Sequence, residues 1–258
     1  MTSLPSGDFL LFLGTGGGRS AMVSGMRGTG GLFLQTEEVR LVIDPGPGAL
    51  AALHQYDIDP WGLDGILITH LHMDHVGDAN VLLEAATSGG HKKHGVLAAP
   101  LEALEGPQRV IYRYRRPFLK EVVVWEENKV VQIGDVQVEA VARYLHGGLE
   151  TFRLHFTVGE KKVALFTDGA TTTGARRMAG ADIAILHCLL PIPLPSIDHL
   201  DPTLCAQILQ ETKPSQSFLT HFGSGILKKK ISEQIAHTCE KETGVPCLAA
   251  RDGLIVPL

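Results

Sequence analysis

The chain has 258 residues, 44% of them hydrophobic, which is enough to bury a sizeable core. Its net charge of −5 gives no global reason to expect nucleic acid or an anionic membrane as a partner. No apolar run approaches the roughly 20 residues of a membrane span, and the short run at 9–13 follows an acidic residue, unlike a secretory signal. We therefore expect a cytoplasmic protein with free thiols, since its cysteines form no CxxC pair. These cysteines are Cys188, Cys205, Cys239 and Cys247.

Short apolar runs separated by turns predict the elements of the first half of the chain. Strands are predicted at 10–13, 31–36, 39–43, 65–69 and 96–99, and helices at 49–56 and 78–86. A glycine-rich loop at 14–18, a sharp break at 44–48 and an irregular basic stretch at 107–117 lie between them. The run at 65–69 is of the short, β-branched kind that forms a buried strand.

The second half repeats this pattern, with more strands than helices. Strands are predicted at 120–124, 129–133, 135–144, 151–158, 162–167, 182–187, 217–220, 246–249 and 253–256, and helices at 173–179, 202–211 and 228–241. The loose alternation predicts an α/β protein with mixed sheets and helices on the outside. No linker-like, low-complexity or repeated segment divides the chain, so we expect one domain over residues 1–258.

Four candidate metal ligands fall within six residues directly after the predicted strand at 65–69: His70, His72, Asp74 and His75. Side chains alternate between faces in an extended segment, so His70 and His72 should point the same way. If the chain turns into a helix near Asp74, that carboxylate and His75 face a neighbouring position. One ion does not comfortably take all four groups from so short a loop, whereas two adjacent ions do. Imidazole and carboxylate ligands suit zinc, manganese or iron; the alternative is a histidine cluster on the surface.

The pattern HxHxDH after a strand, with Asp44-Pro45-Gly46 upstream, resembles the metallo-β-lactamase superfamily, and the resemblance spans nearly the whole chain. It implies a four-layer αβ/βα sandwich of two mixed β-sheets, with helices outside and the metals at the edge of the sheets. It also implies a hydrolase with two divalent ions, with zinc expected and manganese or iron as alternatives. Two such ions can share a water and lower its pKa, which gives a bridging hydroxide nucleophile.

By the same resemblance, three residues later in the chain complete the ligand set. His146, Asp168 and His221 each follow an apolar predicted strand, where loops can converge on a site. The implied set has seven members: His70, His72 and His146 for the first ion, Asp74, His75 and His221 for the second, and Asp168 as the bridge. Asp74 is also expected to orient the nucleophile, which makes it a catalytic residue as well as a ligand.

Three features resemble ribonuclease Z and the related cyclic-phosphate phosphodiesterases. The glycine loop at 14–18 matches their opening loop, which either brings backbone N–H groups to an anion or packs beside the metals. His199, just before the predicted helix at 202–211, matches their candidate acid for the leaving oxygen. The segment Leu219-Thr220-His221-Phe222 matches their final ligand. Together these features predict a binuclear phosphodiesterase that acts on a small or cyclic phosphodiester.

Other features argue against transfer-RNA processing. Where ribonuclease Z carries His-Glu-Ala-Thr, this chain reads His187-Cys188-Leu189-Leu190, and the long arm that grips transfer RNA has no counterpart. A ribonuclease Z-like RNA endonuclease is therefore an alternative, as are a thioesterase or lactonase on the same metals and a metal-binding sensor without turnover. The expected partner is a small-molecule or nucleotide-like phosphodiester. Nucleic acid is not favoured, no membrane is expected, and a homo-oligomer stays open.

A basic stretch and one further histidine have no assigned role. The stretch interleaves arginine with tyrosine and could bind phosphates or stack on bases, but a solvated edge or an oligomer contact is the favoured interpretation. Its members are Arg109, Tyr112, Arg113, Tyr114, Arg115 and Arg116. His187 could reach the site from the end of its strand, although a supporting role is favoured over direct chemistry.

Overall fold

The computed structural model describes residues 4–258, and within them fourteen strands form two seven-stranded sheets. In chain order the strands are β1 (Phe9–Phe12), β2 (Leu32–Gln35), β3 (Arg40–Ile43), β4 (Gly65–Leu67), β5 (Val96–Ala99), β6 (Glu121–Val124), β7 (Val130–Ile133), β8 (Val136–His146), β9 (Leu149–Val158), β10 (Lys161–Phe166), β11 (Ile183–His187), β12 (Gln216–Thr220), β13 (Cys247–Ala249) and β14 (Ile255–Pro257). The first sheet has the order β14-β1-β2-β3-β4-β5-β6, antiparallel as far as β3 and parallel from β3 to β6. The second has the order β13-β12-β11-β10-β9-β8-β7, parallel from β13 to β10 and antiparallel from there.

Helices connect these strands. In the described part of the chain they are α1 (Gly18–Ser24), α2 (Ala49–Gln55), α3 (Met73–Val76), α4 (Ala79–Ala86), α5 (Leu101–Leu104), α6 (Pro202–Thr212), α7 (Ser224–Lys229) and α8 (Ser232–Thr243), with 3₁₀ helices at Pro60–Gly62, Ser88–Gly90, Arg113–Phe118 and Ala175–Met178. Among residues 4–258, none of the helices has the length and apolar character needed to cross a membrane.

Three apolar clusters separate the layers of the fold. The central cluster takes side chains from both sheets, and the rings of Phe12 and Phe218 meet there with their centroids 5.8 Å apart. A second cluster packs the first sheet against α2 and α4, through residues such as Leu82. A third packs the second sheet against α6 and α8, through residues such as Ile208. The order is therefore helices, sheet, sheet, helices, which confirms the predicted four-layer α/β architecture.

The layering explains why the strands have different sequence patterns. Every residue of β1 and of β11 is buried, because the other sheet covers one face and helices cover the opposite face. These strands accordingly appear in the sequence as continuous apolar runs. In β7, at the edge of the second sheet, exposed and buried residues alternate, as expected for a strand with one face in water.

Three predictions about helices need correction. The helix predicted at 228–241 is two helices, because Lys230 adopts a left-handed conformation with φ of 54° and ends α7 before α8 begins. The helix predicted at 173–179 is only the 3₁₀ turn Ala175–Met178. Helix α1 escapes the sequence prediction, because glycine disfavours helix formation and α1 begins at Gly18. Its contacts with α3 and α7 hold it in place.

Candidate metal centre

The carboxylate of Asp168 lies among six histidine side chains at one edge of the two sheets. Asp168 follows β10, is fully buried, and has a ring nitrogen of each histidine within 3.8 Å of one of its oxygens. These histidines are His70, His75, His146, His187, His199 and His221. They come from both sheets and from separate loops, so the site exists only in the folded chain. A carboxylate surrounded in this way is a candidate bridge between two cation positions.

The first group of ligand atoms comes from His70, His72, His146 and Asp168. Four atoms, one from each residue, lie within 4.8 Å of one another. Nε2 of His70 is 3.1 Å from Nδ1 of His72, which is the extended residue just before α3. His146 is the last residue of β8 and brings its ring to within 4.8 Å of the His72 ring, centroid to centroid. The structure thus brings together the residues that the resemblance assigns to the first ion and the bridge.

The second group centres on Asp74, His75 and His221. Nε2 of His75 is 3.0 Å from Nε2 of His221. Oδ2 of Asp74 is 3.2 Å from Nε2 of His221 and 3.8 Å from Nε2 of His75. Asp74 and His75 lie in α3, whereas His221 follows β12 in a left-handed conformation with φ of 58°, which is uncommon for a residue with a side chain. Three ligand atoms therefore converge from two distant parts of the chain.

His187 lies beside this second group. One set of four mutually close ligand atoms comes from His75, Asp168, His187 and His221, and it contains His187 where the resemblance places Asp74. However, Nδ1 of His187 is 3.0 Å from Oδ1 of Asp168, and its ring stacks on that of His221 at 4.7 Å. A ring N–H that donates to a carboxylate does not bind a cation. We propose that Asp74 is the ligand and that His187 orients Asp168.

Asp44, which follows β3, orients two of the histidines. Its Oδ1 accepts a hydrogen bond from the backbone N–H of Thr69 at 2.7 Å, and its Oδ2 accepts one from the Thr69 hydroxyl at 2.7 Å. Because that hydroxyl donates to Asp44, its oxygen is free to accept from Nδ1 of His70, 3.0 Å away. Nδ1 of His75 lies 3.0 Å from Oδ2 of Asp44. Both rings therefore turn Nε2 towards the cluster, the orientation that outer carboxylates impose on metal-binding histidines.

The segment 198–201 holds His199 over the cluster. Asp198 accepts hydrogen bonds from Nδ1 of His146 at 3.1 Å and from the backbone N–H of Ala170 at 2.7 Å. Asp201 caps α6 by accepting from two backbone N–H groups of its first turn. Between these anchors the His199 ring lies 4.5 Å from that of His146, with Nδ1 3.5 Å from Oδ2 of Asp168.

Sequence reasoning assigned no role to Asp44, Thr69 or Asp198. For Asp44 the available signal was its position at the end of a strand, directly before Pro45-Gly46. For Asp198 it was the place next to His199. Neither signal names a partner, because each partner is distant along the chain.

Burial and charge set the protonation of the cluster. Burial, with His75 nearby, holds the pKa of His70 well below its usual value, so that ring is neutral. Burial acts in the same direction on His75, but the carboxylates of Asp168, Asp74 and Asp44 outweigh it and raise its pKa well above the usual value. Burial raises the pKa values of Asp168 and Asp74, yet the surrounding histidines hold both well below the ordinary range. Ionised carboxylates among histidines favour a positive charge at the centre of the cluster.

The glycine loop at 14–18 packs beside the cluster. A Cβ atom on Gly17 would lie 2.2 Å from the ring of His221, so only glycine allows this contact. The N–H of Gly18 donates to Oδ2 of Asp74 at 2.6 Å. All five backbone N–H groups of the loop donate to acceptors within the protein: the carbonyl oxygens of Gly31, Gly28 and Phe222 and the carboxylates of Asp252 and Asp74. The loop therefore supports the ligands and has no free N–H group for a substrate anion.

The basic stretch is largely neutralised by ion pairs. Arg113 and Arg116 both contact the carboxylate of Glu105, at 2.7 and 2.6 Å. Arg115 pairs with Glu84. These contacts support the interpretation of the stretch as a surface feature.

The donor set fits divalent transition-metal ions. Nε2 of His146 and Nδ1 of His221 are buried without a hydrogen-bond partner in the described part of the chain. Two nitrogens bound to one tetrahedral zinc ion lie about 3.3 Å apart, given bonds of about 2.0–2.1 Å. The facing nitrogens of His70 and His72, at 3.1 Å, and of His75 and His221, at 3.0 Å, are close to that spacing. Imidazole and carboxylate donors suit zinc, manganese and iron.

A family model described as "Beta-lactamase superfamily domain" matches residues 39–222, from just before β3 to just past His221. The chain belongs to the metallo-β-lactamase superfamily. This superfamily comprises metal-dependent hydrolases, and membership accounts for the two mixed sheets and for the candidate ligand clusters at their edge.

Similar proteins share the fold along nearly their whole length. The uncharacterized protein MJ1374 of Methanocaldococcus jannaschii is 28% identical over 261 residues, which cover 96% of this chain and 94% of the relative. The structure of the metallo-β-lactamase fold protein YhfI from Bacillus subtilis has a TM-score of 0.77 at 19% identity, covering 96% of this chain and 98% of YhfI. A diphosphatase of the PhnP family has a TM-score of 0.69 at 20% identity and covers 96% of both chains. At these identities the two structures show the metallo-β-lactamase fold alone.

Proposed function

We propose that this metallo-β-lactamase superfamily member is a binuclear metal-dependent phosphodiesterase that acts on small or cyclic phosphodiesters. The observation that carries the proposal is the position of His199. Its ring lies beside a cluster that fits two cations and faces the same Asp168 carboxylate, yet it comes from a separate loop. A phosphodiester seated at the cluster would have its leaving oxygen within reach of a proton donor that is not itself a ligand.

The chain supplies ligands, orientation and proton transfer. The proposed ligands are His70, His72 and His146 for the first ion, Asp74, His75 and His221 for the second, and Asp168 for both. When bound, divalent ions would polarise the phosphoryl oxygens and provide an activated water as nucleophile. Asp74, held by the N–H of Gly18, is placed to orient that water, while Asp44 and Asp198 keep the rings in place.

The protonation of His199 favours an anionic substrate over a neutral one. Burial lowers the pKa of this ring to about 4; Asp168 opposes the change, while His221 and His146 add to it. The free ring is therefore neutral at pH 7. The negative charge of a bound phosphodiester favours the protonated form, so His199 takes up a proton with the substrate and donates it to the leaving oxygen. An uncharged lactone or thioester brings no such charge and leaves the ring neutral.

The comparisons support a phosphoryl substrate in general terms, through the diphosphatase that shares the fold. The glycine loop adds no support, because its N–H groups are occupied within the protein. The choice of phosphodiester thus depends on His199 and on the cluster itself.

A substrate panel tests the proposed function. Metal-loaded protein would be assayed with bis-p-nitrophenyl phosphate, a cyclic nucleotide, a thioester and a lactone, with Asp168→Ala as the control for contaminating activity. We expect turnover of the diesters alone, and loss of that turnover in the control variant. A higher kcat/KM for the thioester or the lactone than for either diester would overturn the proposal.

A further inference from the structure

An apolar groove opens beside the metal cluster. Its floor is the backbone of Gly17 and Gly18, and one wall is the start of α7. The opposite wall comes from the loop after β11, through Leu189, Pro191, Leu194 and Ile197, and the groove holds about 330 Å³. That volume is at the lower end of what small-ligand sites use. We call this feature the apolar groove.

The groove is continuous with the proposed reaction centre on both sides. On its floor, Gly17 contacts the His221 ring, and the N–H of Gly18 donates to Asp74. On its wall, the backbone carbonyl of Ile197 accepts a hydrogen bond from the N–H of His199 at 2.9 Å. A ligand whose phosphoryl group lies at the cluster can therefore extend directly into the groove.

The lining selects a flat, uncharged group. No acidic side chain lines the groove, and its one ionisable side chain, Arg19, is exposed. Leu194 and Ile197 present aliphatic surface that is 37% and 39% exposed, with no protein side chain covering it. Glycine backbone on the floor faces aliphatic side chains on the wall, which makes a slot suited to a ring. Arg19 suits the negative charge of the phosphoryl group at one end.

We infer that the apolar groove binds an aromatic ring carried by the phosphoryl ligand, either a nucleobase or a simple aryl group. This inference rests on the proposed phosphodiesterase function and narrows its substrate class. Leu194 and Ile197 are then residues that determine specificity: they contact the ring and leave the phosphoryl group to the metals. Burying one ring face removes apolar surface from water and strengthens binding by about 10-fold.

Phosphonates test the groove without any turnover, because their carbon–phosphorus bond is not an ester. Calorimetric titration of the metal-loaded protein would compare phenylphosphonate with methylphosphonate, which carry the same headgroup. We expect phenylphosphonate to bind about 10-fold more tightly. In the double variant Leu194→Ser with Ile197→Ser, the ratio should fall to near one. Ile192→Ser is the matched control: Ile192 is on the same loop and 59% exposed, but it does not line the groove.

The ratio of the two affinities decides the outcome. A ratio near one in the wild-type protein overturns the inference, whether or not the double variant folds, and so does a ratio that the double variant keeps. Adenosine 5′-monophosphate as a third ligand separates the two ring sources, since a preference lost in the double variant supports a nucleobase. Failure of diester hydrolysis with the ratio intact would reject the proposed function alone. Diester hydrolysis with a ratio of one would reject the groove alone.

Discussion

The carboxylate of Asp198 lies 3.1 Å from Nδ1 of His146, although 52 residues separate them in the chain. The same carboxylate accepts hydrogen bonds from the backbone N–H groups of Gly147, at 3.2 Å, and Ala170, at 2.7 Å. Burial raises the pKa of Asp198, but these bonds and the nearby His146 outweigh it and lower the pKa, so the group is ionised at neutral pH. One exposed side chain thus ties the end of β8 to the loop after Asp168 and keeps Nε2 of His146 directed at the cluster.

Removing this carboxylate should weaken metal binding without unfolding the protein. We expect Asp198→Ala to lower affinity for the first metal on the order of 10–100-fold, the usual effect of losing an outer partner of a ligating histidine. Competition titration against a chelator measures it. Asp59→Ala is the control, since Asp59 is also exposed and also accepts a backbone N–H, but belongs to the Pro60–Gly62 turn. Equal affinity in the two variants would remove Asp198 from the site.

Asp168 should control the number of metal ions bound. Purified protein is expected to carry close to two equivalents per chain, and Asp168→Ala should lose much of that metal, because one carboxylate serves both positions. Elemental analysis makes the measurement. Glu160→Ala, in the exposed turn between β9 and β10, should keep the wild-type content. One tightly held ion or fewer in fully active protein would sink the binuclear proposal.

His199 should affect chemistry and leave metal binding unchanged. We expect His199→Ala to keep its metal content and to lose on the order of 10²–10⁴ in turnover of a diester with a poor leaving group. The loss should shrink for a p-nitrophenolate ester, because that anion departs without a proton. His237→Ala, on the exposed face of α8, serves as the control. Equal losses for good and poor leaving groups would indicate substrate positioning, and full activity towards a poor leaving group would exclude His199 from the mechanism.

His187 should make the stability of the metal-free protein depend on pH. Burial lowers its pKa to about 4; the hydrogen bond to Asp168 opposes this shift. In the unfolded chain a histidine has a pKa of about 6.5. Between these values the unfolded chain binds a proton that the folded protein does not, so stability falls as the pH falls through this window, by at most about 1.4 kcal/mol per pH unit.

The variant His187→Asn tests that dependence, since it keeps a donor for Asp168 and cannot titrate. Urea unfolding of both metal-free proteins at several pH values between 4 and 7 gives the comparison. The wild-type free energy of unfolding should fall more steeply with decreasing pH than that of the variant. The raised pKa of His75 acts above pH 6.5, where its contribution is lost as the pH rises, and it is common to both proteins. Parallel curves would show that His187 does not titrate on unfolding.

The sequence predicted what depends on neighbouring residues. Strands such as β4 and β11 are continuous apolar runs because they are buried on both faces, and turn residues delimit them. The spacing of His70, His72, Asp74 and His75 places four donors at the end of one strand, whatever the rest of the chain does. Such patterns record local burial and turn chemistry, and they sufficed for the fold class and the superfamily.

Only the tertiary structure decided which distant groups meet. Asp44 reaches His75, and Asp198 reaches His146, because two sheets stack with their loops at a common edge. Glycine at position 17 proved to be a steric requirement of His221, not an anion-binding feature. All the cysteines, which are far apart in sequence, lie in one apolar cluster between the second sheet and its helices. Strand order and register determine these contacts, and both result from packing the whole core, which no single segment of sequence encodes.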